Sequence, residues 1–173
     1  MLNDGIIYLR PPEPDTDVDA MYRWESDELS WADGRTRAPL SRHALWEYAT
    51  NYDADPLRAG QDRLIICAVD SDELLGCVDL YDIDAINRRA GIGIYIELDQ
   101  RRNGYARRAV ELVADYCRSY LGLHQLWVTV ASTNLASRSL FSGVGFTTTG
   151  RLRSWIRIGE SYTDAFFCQR LLV

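Results

Sequence analysis

Residues 101–106, Arg101-Arg102-Asn103-Gly104-Tyr105-Ala106, are the most informative stretch of this 173-residue chain. They follow an isoleucine-rich run, Ile92-Gly-Ile-Tyr-Ile96, and open an amphipathic helical pattern that continues to about Leu121. The first N–H groups of a helix lack intrahelical partners, and the helix dipole adds positive charge there. The pattern predicts a strand, a basic turn and a helix N-terminus in succession. Because Gly104 lets a ligand approach the backbone, we expect these elements together to bind a phosphate. The alternative is a turn whose arginines are merely solvated.

The elements around this turn predict one mixed α/β domain over residues 1–173. Before the turn we expect a first strand, two helices and then three hairpin-linked strands: Ile6–Leu9, Asp15–Asp27, Ser41–Tyr52, Arg63–Val69, Leu74–Tyr81 and Arg89–Ile96. After its helix we expect a strand, a helix capped by Asn134 and two closing strands: Gln125–Val130, Leu135–Ser142, Phe146–Leu152 and Tyr162–Leu172. We expect residues 51–61 to be a loop.

The composition narrows the functional classes. The four cysteines are widely spaced within apolar segments, which indicates reduced core thiols and no disulfide framework, and two histidines argue against a metal site. No apolar run spans a bilayer and the first residues lack a signal-peptide pattern, so we expect a cytoplasmic location without membrane contact. The net charge of −6 argues against nucleic-acid binding.

The charges are unevenly distributed along the chain. Residues 1–99 carry 21 acidic side chains and 9 arginines, whereas residues 100–173 carry 4 acidic side chains and 10 arginines. The chain has no lysine. An acidic first part suits an amine partner, and a basic second part suits an anionic ligand.

Two motifs at this spacing and in this element order resemble the GNAT N-acetyltransferase superfamily. Its signature Arg/Gln-x-x-Gly-x-Gly/Ala reads Arg101 to Ala106 here, and its second signature, an Asn-capped helix ending in Gly-Phe, runs from Asn134 to Phe146. The segments 8–11 and 159–164 look like the spermidine and ribosomal-protein N-acetyltransferase branch. The resemblance implies a GNAT fold: a mixed, mostly antiparallel seven-stranded sheet, helices on both faces, and a parallel strand pair that splays apart.

The resemblance also implies acetyl-CoA as co-substrate, held in the gap between the splayed strands. The strand near Ile96 would pair with the pantetheine, and the turn would bind the pyrophosphate. The implied cofactor-binding residues are Tyr95, Ile96, Arg101, Arg102, Asn103, Gly104, Tyr105, Ala106, Arg107, Asn134 and Phe141.

The usual catalytic residues of the family are replaced here. Many members carry a tyrosine acid seven residues after the Asn, where this chain has Phe141, which has no proton to give. Tyr8, Tyr81, Tyr95, Tyr105 or a water are the alternatives. Related enzymes also often carry a glutamate early in the third strand of the meander, where this chain reads Ala90-Gly91-Ile92-Gly93. The remaining candidate carboxylates are Asp79, Asp82 and Glu97, which would act through a water or bind a cationic amine.

We therefore expect an N-acetyltransferase in which a primary amine, either a polyamine or a protein N-terminus, attacks acetyl-CoA directly. Trp24 and Trp31 are candidate substrate-binding residues, because aromatic faces attract ammonium groups. The alternatives are an antibiotic acetyltransferase of the aminoglycoside type and a catalytically impaired CoA-binding regulatory protein, which Phe141 and Gly91 favour. A homodimer is a further expectation.

Overall fold

A mixed β-sheet organises the chain, whose computed structural model describes residues 2–26 and 39–173. In these residues eight strands form one sheet in the order β1-β2-β3-β4-β5-β6-β8-β7. The strands are β1 (Leu2–Asn3), β2 (Ile7–Arg10), β3 (Asp62–Ala68), β4 (Leu74–Asp84), β5 (Arg89–Ile96), β6 (Gln125–Ala131), β7 (Thr147–Ile158) and β8 (Ser161–Leu171). The helices are α1 (Pro14–Ser26), α2 (Arg42–Thr50), α3 (Pro56–Ala59), α4 (Tyr105–Ser119) and α5 (Leu135–Gly143).

The topology confirms the predicted mixed sheet with one correction to the strand count. All neighbouring strands are antiparallel except β5 and β6, which are parallel because α4 returns the chain to the other end of the sheet. Eight strands are present where seven were expected. The additional strand is β1, whose Leu2 and Asn3 pair with Leu9 and Tyr8 of β2.

Helices cover both faces of the sheet, as expected. On one face, α4 packs a continuous apolar stripe against alternate sheet residues; this core includes Ala109, Val110, Val113, Cys117, Val78, Leu80, Ile92 and Leu126. On the other face, α1 and α2 pack against the intervening positions; that core includes Ala20, Met21, Trp24, Leu45, Ala49, Ile65, Cys67 and Cys77. We call these the α4 face and the α1 face.

An ion pair fixes the start of α1 against β2. Asp17 is fully buried, and its two oxygens accept hydrogen bonds of 2.6 and 2.8 Å from the guanidinium of Arg10. The backbone N–H of Glu13 donates a third hydrogen bond, of 2.7 Å. Burial alone would raise the pKa of Asp17, but the bonds from Arg10 and Glu13 outweigh it and lower that pKa.

The four cysteines Cys67, Cys77, Cys117 and Cys168 are buried and free, which confirms the expectation of core thiols. Burial raises the pKa of the Cys117 thiol to about 12. Such a thiol stays protonated and behaves as a small apolar side chain.

Candidate functional site

The parallel strands β5 and β6 separate before they end. Their pairing runs from Arg89 and Gln125 to Gly91 and Trp127. Beyond this position β5 continues to Ile96 and β6 to Ala131, without further pairing to each other. The result is a wedge between two neighbouring strands, whose inner backbone edges can pair with an extended ligand.

The basic turn lies at the open end of the wedge. A 3₁₀ turn, Leu98–Gln100, leads from β5 into the exposed residues 101–104. Gly104 precedes the first residue of α4 with a φ of 80°, and the helix has no side-chain cap. A Cβ added to Gly104 would meet no atom within 4 Å, so the space over this backbone is open. The N–H groups, which no side chain caps, and the helix dipole therefore face open space that an anion such as a diphosphate can enter.

The arginines of this turn divide into two groups. Arg101 faces β5: its Nε donates a 2.9 Å hydrogen bond to the carbonyl of Ile96, and its guanidinium lies 5.6 Å from the ring centre of Tyr95. Arg102 and Arg107 are exposed and form no ion pair with any residue that the structure describes. Both side chains add positive charge near the helix N-terminus, and the Arg107 guanidinium lies beside Gly143 at the end of α5.

The second motif forms the other side of the wedge. Asn134 caps α5, where its side-chain oxygen accepts a 3.0 Å hydrogen bond from the N–H of Ser137. Phe141 is 3% exposed, and its ring packs edge-on against Phe146 with 5.1 Å between ring centres. Phe141 therefore belongs to the core of the α4 face.

The carboxylate of Asp79 is held by an arginine. Arg63 donates to both of its oxygens, at 2.7 and 3.0 Å, and also bonds Glu25 of α1 at 2.8 Å. Two carboxylates thus share one guanidinium on the α1 face. Asp82, the neighbouring candidate, is exposed and has a φ of 48° at the irregular end of the β4–β5 pairing.

The carboxylate of Glu97 joins the end of β5 to α1. One of its oxygens accepts a 2.8 Å hydrogen bond from the indole of Trp24 and a 2.9 Å bond from Arg23. Trp24 is only 3% exposed, so most of its ring lies in the core. Trp31, the other tryptophan expected to bind substrate, lies outside the described residues.

The four candidate tyrosine acids lie in different environments. The hydroxyl of Tyr8 donates a 2.8 Å hydrogen bond to Asp72, which raises the pKa of Tyr8 to about 12 and makes it a poor proton donor. Tyr105 packs its ring against the core of the α4 face. Tyr95 belongs to β5 within the wedge, and Tyr81 lies on β4 opposite Gly91.

Trp127 and Phe167 lie near the wedge, belong to no sequence motif and were not among the expected site residues. Trp127 contacts Tyr81 edge-on at 5.2 Å between ring centres, and stacks on Phe167 at 5.5 Å. All three rings are half-buried, and they lie on the α1 face because the adjacent strand residues pack in the core of the α4 face. Only the strand register brings them together, since their positions are far apart in the sequence.

A surface cavity in the described part of the chain lies away from the wedge. It has a volume of about 390 Å³. Its lining comes from α2, from α3 and from the segments that follow each of these helices, and includes Glu47, Tyr48 and Asp53. None of the expected site residues lines it. In the described part of the chain, no three His, Cys, Asp or Glu side chains are grouped to hold a metal ion.

The sequence is similar to curated N-acetyltransferases of both kinds named in the expected branch. Spermidine N(1)-acetyltransferase of Vibrio cholerae is 32% identical over 91 residues, 53% of this chain and 53% of that protein. A putative ribosomal N-acetyltransferase of Bacillus subtilis is 26% identical over 94 residues, 54% of this chain and 51% of that protein. The chain spans about half the length of the curated relatives it matches.

Solved structures share the fold along nearly the whole chain. Spermidine N-acetyltransferase from Vibrio cholerae in complex with CoA and spermine superposes with a TM-score of 0.87 at 23% identity, covering 98% of this chain and 97% of that one. A dodecameric structure of the same enzyme in an intermediate state gives a TM-score of 0.81 at 23% identity, covering 98% and 95%. At this identity the likeness establishes the fold.

A family match covers most of the chain and includes both motifs. The model of the acetyltransferase (GNAT) domain matches residues 7–147, from β2 to the start of β7. This range contains the wedge, the basic turn and the Asn134 helix. The chain belongs to the acetyltransferase (GNAT) domain family.

Proposed function

We propose that this chain is an N-acetyltransferase that transfers the acetyl group of acetyl-CoA to a primary amine, either of a polyamine or of a protein N-terminus. GNAT acetyltransferases use acetyl-CoA as the acyl donor. The observation that carries the proposal is the end of β5–β6 pairing at Gly91 and Trp127, beside the uncapped N-terminus of α4. An extended strand-like group and a diphosphate thus find complementary backbone at neighbouring positions.

Each part of acetyl-CoA, the acetyl donor, has a proposed binding partner in the chain. The backbone of residues 95–96 pairs with the pantetheine, and the N–H groups of residues 102–107 bind the diphosphate. Arg102 and Arg107 add charge, and Asn134 and Phe141 flank the sulfur end. The open space at Gly104 supports this assignment.

The acceptor nitrogen forms a bond to the thioester carbon, and the carbon–sulfur bond breaks to release the CoA thiolate. An alkylamine has a pKa near that of lysine, about 10.4, so it must first lose a proton. We propose that this proton passes through water to Glu97, at the end of β5. Because a thiol has a pKa of about 8.5, the thiolate departs without an acid at position 141.

Glu97→Gln tests this proton transfer. Glutamine retains the size of glutamate and an oxygen for the Trp24 indole, so the fold is expected to persist. We expect kcat/KM for the amine at pH 7 to fall about tenfold, with the acetyl-CoA KM unchanged. A pH profile of kcat/KM measures the effect, with Asp99→Asn in the neighbouring 3₁₀ turn as the control. An unchanged profile would make Glu97 only a link between α1 and β5.

Phe141→Tyr tests whether the missing acid limits turnover. Position 141 is buried beside Phe146, so the added hydroxyl changes little at the diphosphate site. We expect the acetyl-CoA dissociation constant to change by less than about threefold and kcat to rise about tenfold, less than a fully positioned acid contributes. Calorimetry and single-turnover kinetics measure the two quantities. A large loss of acetyl-CoA affinity would contradict the proposed position of the cofactor.

Thiol release from acetyl-CoA, with mass spectrometry of the acetylated product, tests the function itself. The panel comprises spermidine, a peptide with a free N-terminus, an aminoglycoside and simple alkylamines. Acetylation of the aminoglycoside alone would favour an antibiotic acetyltransferase. The absence of product together with tight CoA binding would favour a regulatory protein, which Phe141 and Gly91 make the second candidate.

Location and assembly complete the proposal. In the part of the chain that the structure describes, no helix is long and apolar enough to cross a membrane. We propose a cytoplasmic protein and a homo-oligomer, with a dimer as the simplest form. A related enzyme forms a dodecamer, which supports self-association in this fold.

A further inference from the structure

Three rings form a continuous row on the α1 face of the sheet. Tyr81, Trp127 and Phe167 belong to β4, β6 and β8, and the two ring-to-ring distances are 5.2 and 5.5 Å. We call these three residues the aromatic row. The row crosses β5 at Gly91, which pairs with Tyr81 on one side and with Trp127 on the other.

The row exists because residue 91 has no side chain. A Cβ at Gly91 would lie 2.3 Å from Cε2 and 2.6 Å from Cζ of Tyr81, far inside van der Waals contact. The Tyr81 ring therefore occupies the space into which any other side chain at position 91 would project. At this position the sheet presents aromatic carbon, and a carboxylate cannot be accommodated there unless Tyr81 moves.

The aromatic row also lies next to the proposed reaction site. Gly91 and Trp127 are the last paired residues of β5 and β6, so the wedge opens at the following residues. One residue of a strand advances about 3.3 Å, which puts the row within a few ångströms of the base of the wedge. A molecule lying on the row can thus direct a nitrogen toward a thioester within the wedge.

The nearby charges favour an acceptor with few positive charges. Asp79 and Glu25 share the guanidinium of Arg63, and Glu97 is bonded to Arg23. These carboxylates already have cationic partners. An acceptor with several ammonium groups would have to compete for them, whereas an acceptor with one amine and an apolar body needs only the rings.

We infer that the aromatic row is the acceptor-binding surface, and that the preferred acceptor is a primary amine attached to an aromatic or flat apolar body. The inference rests on the proposed function and narrows its substrate. The body of the acceptor packs on Trp127 and Phe167, as aromatic groups do in offset or edge-on contacts. The amine approaches the wedge, and the ring faces also attract it in its ammonium form.

Steady-state kinetics with matched amines test the inference. We expect kcat/KM for phenethylamine and tyramine to exceed that for butylamine and spermidine at least tenfold, which corresponds to about 1.4 kcal/mol. Trp127→Leu is expected to raise the phenethylamine KM about tenfold while leaving kcat and the acetyl-CoA KM unchanged. Tyr120→Leu, an exposed aromatic at the end of α4 on the other face, is the control and should change neither value. Phe167→Leu provides a second variant if Trp127→Leu does not fold.

The outcomes separate the inference from the proposed function. Equal or better turnover of butylamine and spermidine, unaffected by Trp127→Leu, would overturn the inference and retain the acetyltransferase. If no amine is acetylated, the proposed function fails, and tyramine binding to the CoA-saturated protein decides the inference. Binding that Trp127→Leu weakens would support the row as an amine site, and absence of binding would overturn it. A change of oligomeric state in Trp127→Leu, with unchanged amine kinetics, would make the row an interface between copies and also overturn the inference.

Discussion

Asp17→Asn is expected to lower the free energy of unfolding by about 3 kcal/mol, the lower end of the range for breaking a buried ion pair. The substitution leaves the Arg10 guanidinium without its carboxylate partner, between β2 and α1. Asp17 is fully buried, whereas the Arg10 side chain is 21% exposed. Arg10 can therefore recover part of its hydration, which is why we expect the lower end of the range. Urea denaturation with a two-state fit measures the change.

Asp19→Asn is a matched control on the same helix. Asp19 forms an ion pair with Arg42 at 2.7 Å, but its side chain is 76% exposed. Exposed pairs contribute about 0–1 kcal/mol, so this variant should remain within that range. Both substitutions remove one negative charge from α1. The difference between their losses in free energy of unfolding therefore reports the effect of burial. Equal small losses in the two variants would show that the Asp17 pair contributes no more than a surface pair.

The pH dependence of stability gives a second readout of Asp17. The pKa of this carboxyl is lowered in the folded protein, and an unfolded aspartate titrates near 3.9. Its contribution is therefore present above about pH 4 and is lost as the pH falls through the lowered folded value. We expect the wild-type free energy of unfolding to decline below about pH 4 more steeply than that of Asp17→Asn. Parallel pH profiles for the two proteins would exclude this role.

The central elements were predictable because local pattern and tertiary structure agree. The strand Arg89–Ile96 has the bounds that its apolar run predicted, and Ser41 and Asn134 cap the helices that follow them. The short helix Pro56–Ala59 was missed, although its capping Asp55 and first-position Pro56 are recognisable start signals. Four residues were too few to produce an apolar period.

The closing hairpin shows where the apolar pattern fails. We expected a strand ending at Leu152, but β7 continues to Ile158. Several of its outer residues are exposed arginines, and the register shifts twice, between Thr148 and Gly150 and between Leu152 and Ile156. Bulges interrupt the alternation of inward and outward side chains, so the sequence offers no period of two to follow.

The candidate site likewise combines residues that are adjacent in the sequence with residues that only the tertiary structure brings together. The basic turn was identified from six consecutive residues. The partners of the candidate carboxylates were not, since Trp24 and Glu97 are 73 positions apart and Arg63 and Asp79 are 16 apart. The aromatic row depends on the register of three strand pairs. Sequence motifs therefore indicate the proposed donor half of the site, and tertiary contacts define the proposed acceptor half.

Gly104→Val is expected to weaken acetyl-CoA binding about a hundredfold without unfolding the protein. Gly104 has a φ of 80°, a conformation that a β-branched residue adopts only at a cost of about 1–3 kcal/mol. A valine side chain would also project into the space over the turn, where a Cβ meets no protein atom within 4 Å. Both effects act on the N–H groups that are proposed to bind the diphosphate. A loss of about 3 kcal/mol in binding corresponds to roughly two orders of magnitude.

Gly60→Val separates loss of the site from backbone strain. Gly60 ends α3 with a φ of 73°, and a Cβ there also meets nothing within 4 Å. The two valine variants should therefore lose similar amounts of stability, about 1–3 kcal/mol. Only Gly104→Val should lose acetyl-CoA affinity in calorimetry, and Gly104→Ala should fall between it and the wild type. If Gly104→Val bound acetyl-CoA as tightly as Gly60→Val, the N-terminus of α4 would not be the diphosphate site, because a branched side chain cannot share that space with a bound phosphate.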